Sequence, residues 1–99
     1  MNEDITCKEV KVRLENGEEF HFIDVREEWE FEEANIGAKL IPLGDLPARL
    51  SEIEHMKDEE VIVHCKSGAR SGRAKKFLNS QGFSNVRNME GGIIAYLEL

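Results

Sequence analysis

Strand-like apolar runs alternate with stretches of helical periodicity from one end of this chain to the other. One of the runs, Val61-Ile62-Val63-His64, is apolar at consecutive rather than alternate positions. A strand of that kind is covered on both faces, and strands separated by helices are joined by crossovers, so the chain is confined to the α/β class with a mainly parallel sheet between helices. With 99 residues, no internal repeat and no low-complexity linker, residues 1–99 read as one domain able to bury a core without disulfides or metal.

The individual elements follow from local chemistry. Thr6-Cys7-Lys8-Glu9 has the form of a capping box and opens an amphipathic helix carrying Val10, Val12 and Leu14, which Asn16-Gly17 stops. Phe20 to Val25 reads as a strand, Glu27 to Ala34 as a short acidic helix, and Lys39-Leu40-Ile41 as a brief strand ended by Pro42. Leu46 to Ile53 is expected to be helical, with Pro47 in its first turn, and a polar segment runs from Glu54 to Glu60. Ala74, Phe77 and Leu78 share a face of a helix over about 70–81 that Gly82 closes; Val86-Arg87-Asn88 gives a last strand, and Ile93 to Leu97 a last short helix. Trp29, Phe20 and Phe22 read as core, and Cys7 as a packing residue rather than a resolving thiol.

Chemistry concentrates in Cys65-Lys66-Ser67-Gly68-Ala69-Arg70-Ser71. The apolar strand delivers a cysteine to a polar loop, and a helix begins immediately afterwards. Unpartnered N–H groups at a helix start favour a thiolate over a thiol, and the thiolate is the nucleophile. Such a sulfur is expected to be reachable from solvent; burial would take away the ground for a nucleophilic role. Adjacent strand residues face opposite ways, so His64 points away from the sulfur and reads as structural. In open α/β sheets ligands bind beyond the carboxyl ends of the strands, which is where Cys65 falls.

Charge sharpens this. The net charge of −7 speaks against a general nucleic-acid binder, yet residues 66–76 carry Lys66, Arg70, Arg73, Lys75 and Lys76 with no acid. Two distant cysteines and no clustered His/Cys ligands point to neither a disulfide framework nor a metal site. No apolar run approaches the roughly 18 residues of a membrane span. The acidic start, Met1-Asn2-Glu3-Asp4, leads into no apolar stretch and does not resemble a secretory signal, so the expected setting is cytoplasmic.

Four segments in order are similar to the rhodanese-like family: Asp24-Val25-Arg26-Glu27, Ile41-Pro42-Leu43, Val63 to Ser71, and Glu90-Gly91-Gly92-Ile93. The stretches Asn35 to Pro47 and His64 to Ser71 are similar, more narrowly, to the rhodanese domains fused to adenylyltransferases that activate sulfur-carrier proteins. The chain departs from the commonest family pattern at Ala34-Asn35-Ile36, in a slightly shorter segment to Ala38, and at Tyr96. The resemblance implies a three-layer fold with a sheet of about five strands, no cofactor and no metal. It also implies sulfur transfer: Cys65 would take a sulfane sulfur from a small anionic donor such as thiosulfate, hold it as a persulfide, and pass it to an acceptor, whether a small thiol or a sulfur-carrier protein.

Carried onto this chain, amides from Lys66 to Arg70, Ala69 included, would cradle the outer sulfur, Ser67 would hydrogen-bond it, and Gly68 would permit a positive φ. Lys66 and Arg70 would hold the anionic donor. Ser71 is expected to cap the helix, Asp24 to tie Arg70 or the loop amides in place, and Arg26 either to bind donor or to form an ion pair. Alternatives are a non-catalytic relay or interaction module, and a phosphatase or arsenate reductase. The last needs arginine six positions after the cysteine, whereas position 71 is serine and Arg70 comes one residue early. No membrane contact is expected, and the default state is a monomer.

Overall fold

The computed structural model describes residues 3–99, so the first two residues of the acidic amino-terminal stretch lie outside the described residues. Along the chain come α1 (Cys7–Glu15), β1 (His21–Asp24), α2 (Glu28–Glu33), β2 (Lys39–Leu40), three 3-10 turns, β3 (Glu60–His64), α3 (Ala69–Ser80), β4 (Asn85–Asn88) and α4 (Gly92–Leu97). Every strand pairing is parallel, in the order β2-β1-β3-β4. The register sets Asp24 of β1 opposite His64 of β3, and Val63 of β3 opposite Asn88 of β4, so Asp24, His64 and Asn88 share the end of the sheet that leads to Cys65. Among the described residues no helix is long and apolar enough to cross a membrane.

Among the described residues four strands form where about five were expected. A fourth pairing is a single parallel bridge, Ile5 to Met89, beside β4. Its brevity follows from the capping box: the Thr6 hydroxyl accepts from the Glu9 amide while the Glu9 carboxylate reaches back to Thr6, so helix α1 begins before a longer strand can extend.

Alternation along β3 divides the core. Val61, Val63 and then Cys65 face one layer with Leu46, Ile53, Ala74, Leu78 and Val86. Ile62 faces the other with Val10, Phe22 and Met89, against which Ala95 and Tyr96 pack from α4. Helices α1 and α4 thus cover one face, and α3 with the 3-10 segment covers the other. Continuous apolarity in β3 is the signature of this double cover.

The segment expected to be helical over Leu46–Ile53 is instead a chain of 3-10 turns, Leu43–Asp45, Leu50–Glu52 and Glu54–Met56. Leu43, Leu46, Leu50 and Ile53 have helical spacing and do pack on the core, with Leu46 and Ile53 fully buried. Arg49 (φ −107°, ψ 13°) and Ile53 (φ −123°, ψ 9°) leave the α region, however, and the tighter turns let the chain bend while both anchors stay on the sheet. The stretch after it, read as polar, buries Met56.

Candidate active site

Strand β3 ends at His64, Cys65 follows, and Gly68 at φ 107° turns the chain into α3. The loop curls so that Gly68 N donates to Cys65 Sγ at 3.1 Å, and the positive φ of Gly68 directs the chain that follows into α3. The amides of Ser67 and Ser71 also point at the sulfur, and the Ser71 hydroxyl lies 3.3 Å from it. Burial is the largest single influence on the thiol and pushes its pKa up; the four donors together outweigh it and hold Cys65 below the ordinary thiol value. The electrostatic part of the sequence expectation therefore stands. The accessibility part does not: Cys65 is only 1% exposed, so in this conformation the ground for a nucleophilic role that rested on solvent access is missing.

The loop is braced from behind. Ile93 N donates to Cys65 O (2.9 Å) and Ile94 N to Lys66 O (3.1 Å), while Asn88 Nδ2 donates to Gly68 O (3.1 Å). Gly92, at φ 64°, presses so closely on the loop that a Cβ there would stand 2.3 Å from Lys66 O. The Glu90 to Ile93 segment thus supports the loop's main chain.

Several expected roles shift. Ser71 is the third residue of α3, fully buried, with its hydroxyl on the sulfur; Gly68 holds the cap position, so Ser71 does not cap the helix. Ser67 contributes its amide, and the hydroxyl at the sulfur is that of Ser71. Asp24 ties neither Arg70 nor the loop amides. It is fully buried and accepts from Arg26 Nε, Nη2 and amide, at 2.7 Å for the Nη2 contact. Arg26 also donates to the Glu30 and Ala34 carbonyls, so the ion-pair half of its two readings is present in the structure.

Arg70 is gripped by Glu30 in a two-pronged pair at 2.7 and 2.9 Å. Its guanidinium lies within electrostatic reach of Cys65 but is turned to a carboxylate rather than to an open anion site. Arg70, ahead of the opposing effect of burial, lowers Glu30 to about 2. Sequence reasoning did not single out Glu30. The available signal was its spacing from Glu27: the Glu30 carboxylate accepts from the Glu27 amide (3.0 Å) in a capping box that also aims it at α3.

Lys66 is exposed and borders a shallow cleft of about 190 Å³ with Arg26, Trp29, Glu30, Ile94 and Leu97. Trp29, expected in the core, is 64% exposed on that rim, because α2 turns its Glu30 face inward. Ala69 is exposed at the helix start. His64 is fully buried, with Nδ1 3.3 Å from Cys65 O, Nε2 3.5 Å from Asp24 and its ring against Phe22; burial above all pushes its pKa down, so it is neutral at neutral pH. Cys7 is free and buried, its Sγ 3.1 Å from Glu90 O and 3.4 Å from Gly92 O, and burial pushes its thiol up.

Comparison with known proteins agrees with this geometry. A family model described as "Rhodanese-like domain" matches residues 6–99. A putative sulfurtransferase of Bacillus subtilis is 38% identical over 94 residues, covering 94% of this chain and 88% of that protein. A sulfurtransferase of Allochromatium vinosum is 37% identical over 97 residues, covering 97% and 89%. The crystal structure of a rhodanese-like domain protein from Staphylococcus aureus superposes with a TM-score of 0.85 at 32% identity, covering 97% of this chain and 91% of that one.

Proposed function

The chain belongs to the rhodanese-like domain family, and on that premise we propose that it is a sulfurtransferase acting through a persulfide on Cys65. In the first half-reaction the Cys65 thiolate attacks the outer sulfur of thiosulfate, or of a related persulfide or polysulfide. A new S–S bond forms, the donor's S–S bond breaks, and the leaving group (sulfite, for thiosulfate) departs with the electron pair. In the second, a thiophilic acceptor attacks the outer sulfur and Cys65 leaves as thiolate, ready for another donor. The oxidation state of the protein is restored and no cofactor enters the balance.

The observation that carries this reading is the ring of main-chain donors and one hydroxyl around a single sulfur atom. A thiol held below its ordinary pKa has less need of a general base, and neutral His64, which meets the Cys65 carbonyl, is consistent with that. Since the resting sulfur is covered, the donor requires the loop to part, and Lys66, Ser67 and Ala69 are the exposed residues that would move. Lys66 would then meet the anion, with Arg70 acting at longer range through Glu30. The same engagement of Arg70 disfavours a phosphatase, which needs a free guanidinium on a wider loop.

Cys65→Ser is expected to abolish thiosulfate-dependent sulfur transfer to cyanide with the circular dichroism spectrum unchanged. Intact-mass measurement of the parent after thiosulfate should show one added sulfur on the peptide containing Cys65. Undiminished turnover in the variant would remove Cys65 from the reaction. Sulfur loading without turnover to any small acceptor would favour a relay to a protein partner.

A further inference from the structure

Ser71 has one hydroxyl proton and two acceptors within reach. Its Oγ lies 2.6 Å from Asn88 Oδ1 and 3.3 Å from Cys65 Sγ. A hydroxyl can donate to only one of them at a time. The orientation of the Asn88 amide is set by its other end, where Nδ2 donates to Gly68 O at 3.1 Å and leaves Oδ1 facing Ser71. Asn88 is itself anchored outside the loop: its amide donates to Asp4 Oδ1 (3.1 Å) and its carbonyl accepts from Ile5 N (3.0 Å).

We propose that Asn88 is a positioning residue whose side-chain carbonyl competes with the Cys65 sulfur for the Ser71 proton, and so sets how readily that sulfur ionises. With Cys65 as thiol, its S–H donates to Ser71 Oγ while the Ser71 O–H donates to Asn88. With Cys65 ionised, its proton has gone to solvent and the Ser71 hydroxyl turns to the anion, giving up the short bond to Asn88. The ring of donors therefore has one member that is engaged elsewhere until the sulfur carries charge. The inference rests on the reading of Cys65 as the reacting thiolate.

Other groups around the sulfur do not duplicate this role. From α3, Arg70 acts at a distance and is paired with Glu30 of α2. On the strand that leads to Cys65, His64 is neutral and meets the carbonyl rather than the sulfur, with Nε2 3.5 Å from Asp24. At the end of β1, Asp24 is paired with Arg26 just beyond it. Lys66 is exposed on the loop.

The test is a titration of the Cys65 thiolate by its ultraviolet absorbance, in a Cys7→Ser background so that one thiol is read. Asn88→Leu removes the competing acceptor and is expected to lower the midpoint by about 0.5–1 pH unit, the scale of one redirected hydrogen bond. Asn88→Asp strengthens the competitor and should raise it. Combined with Ser71→Ala, which leaves no hydroxyl to redirect, Asn88→Leu should no longer shift the midpoint. The Asp variant also raises the midpoint by its charge, so the deciding arm is Asn88→Leu with Ser71→Ala: a purely structural role would shift the midpoint equally without the hydroxyl. An unchanged or raised midpoint in Asn88→Leu, or an equal shift with Ser71→Ala, overturns the proposal. Should Asn88→Leu lose its fold by circular dichroism, Asn88→Ala is read in its place. The midpoint is measured without donor: expected titration with no sulfur transfer would overturn the proposed function alone, and transfer with an unmoved midpoint the role of Asn88 alone.

Discussion

At Cys65 two influences oppose each other: burial disfavours the anion, and three amides with one hydroxyl favour it. The second wins, so a sulfur with almost no exposed surface is held below the ordinary thiol value, and the proposed nucleophilic role asks for access to it. Glu30 shows a similar contest resolved more strongly, chiefly by the Arg70 guanidinium, with the Glu27 amide and Arg26 adding to it. Its lowered pKa means that its contribution to stability is complete above the ordinary carboxylate value and fades as pH falls through about 2. Glu30→Gln should therefore cost about 1–3 kcal/mol at neutral pH, between the values for exposed and buried pairs, and the deficit should shrink toward pH 2. Urea denaturation of parent and variant across that range measures it; a deficit independent of pH would mean that the Arg70 pair contributes nothing through charge.

Among the elements, the turn from β4 into α4 is the tightest constraint on the loop. Gly92→Ala would place a methyl 2.3 Å from Lys66 O at a positive φ, while Gly37→Ala meets nothing within 4 Å and suffers only its φ of 89°. The expected destabilisation is about 2–4 kcal/mol for the first and about 1 kcal/mol for the second, with sulfur transfer lost only in the first. Comparable urea midpoints for the two would show that the contact is easily relaxed. Which elements were legible in the sequence follows from how local their causes are. The Thr6 box, the Gly82 stop and the continuous run of β3 depend on near neighbours, and all appear as read. The 3-10 chain after β2, the exposure of Trp29 and the Arg70–Glu30 pair depend on how distant segments meet, and periodicity carries no record of that. The site divides in the same way: the loop and its cysteine were readable from order alone, whereas the places of Ser71, Asp24 and Asn88 required the register of β1, β3 and β4.

For the whole molecule, β3 is the member on which both cores close. Its Ile62 is fully buried on the side of α1 and α4, while Val61 and Val63 belong to the opposite core. Ile62→Ala is expected to cost about 2–5 kcal/mol, read as a lower urea midpoint with an unchanged slope. A loss under about 1 kcal/mol would show that the α1–α4 layer adds little to the fold. Access to the sulfur is a global matter too, since the cover over Cys65 is tied to β4 through Asn88 and to α4 through Ile93 and Ile94. The exposed indole of Trp29 stands at the edge of that cover, and it is the chain's sole tryptophan. Tryptophan fluorescence from this protein accordingly arises beside Lys66 at the rim of the shallow cleft, and under the proposed function it would register a donor there without any attached dye.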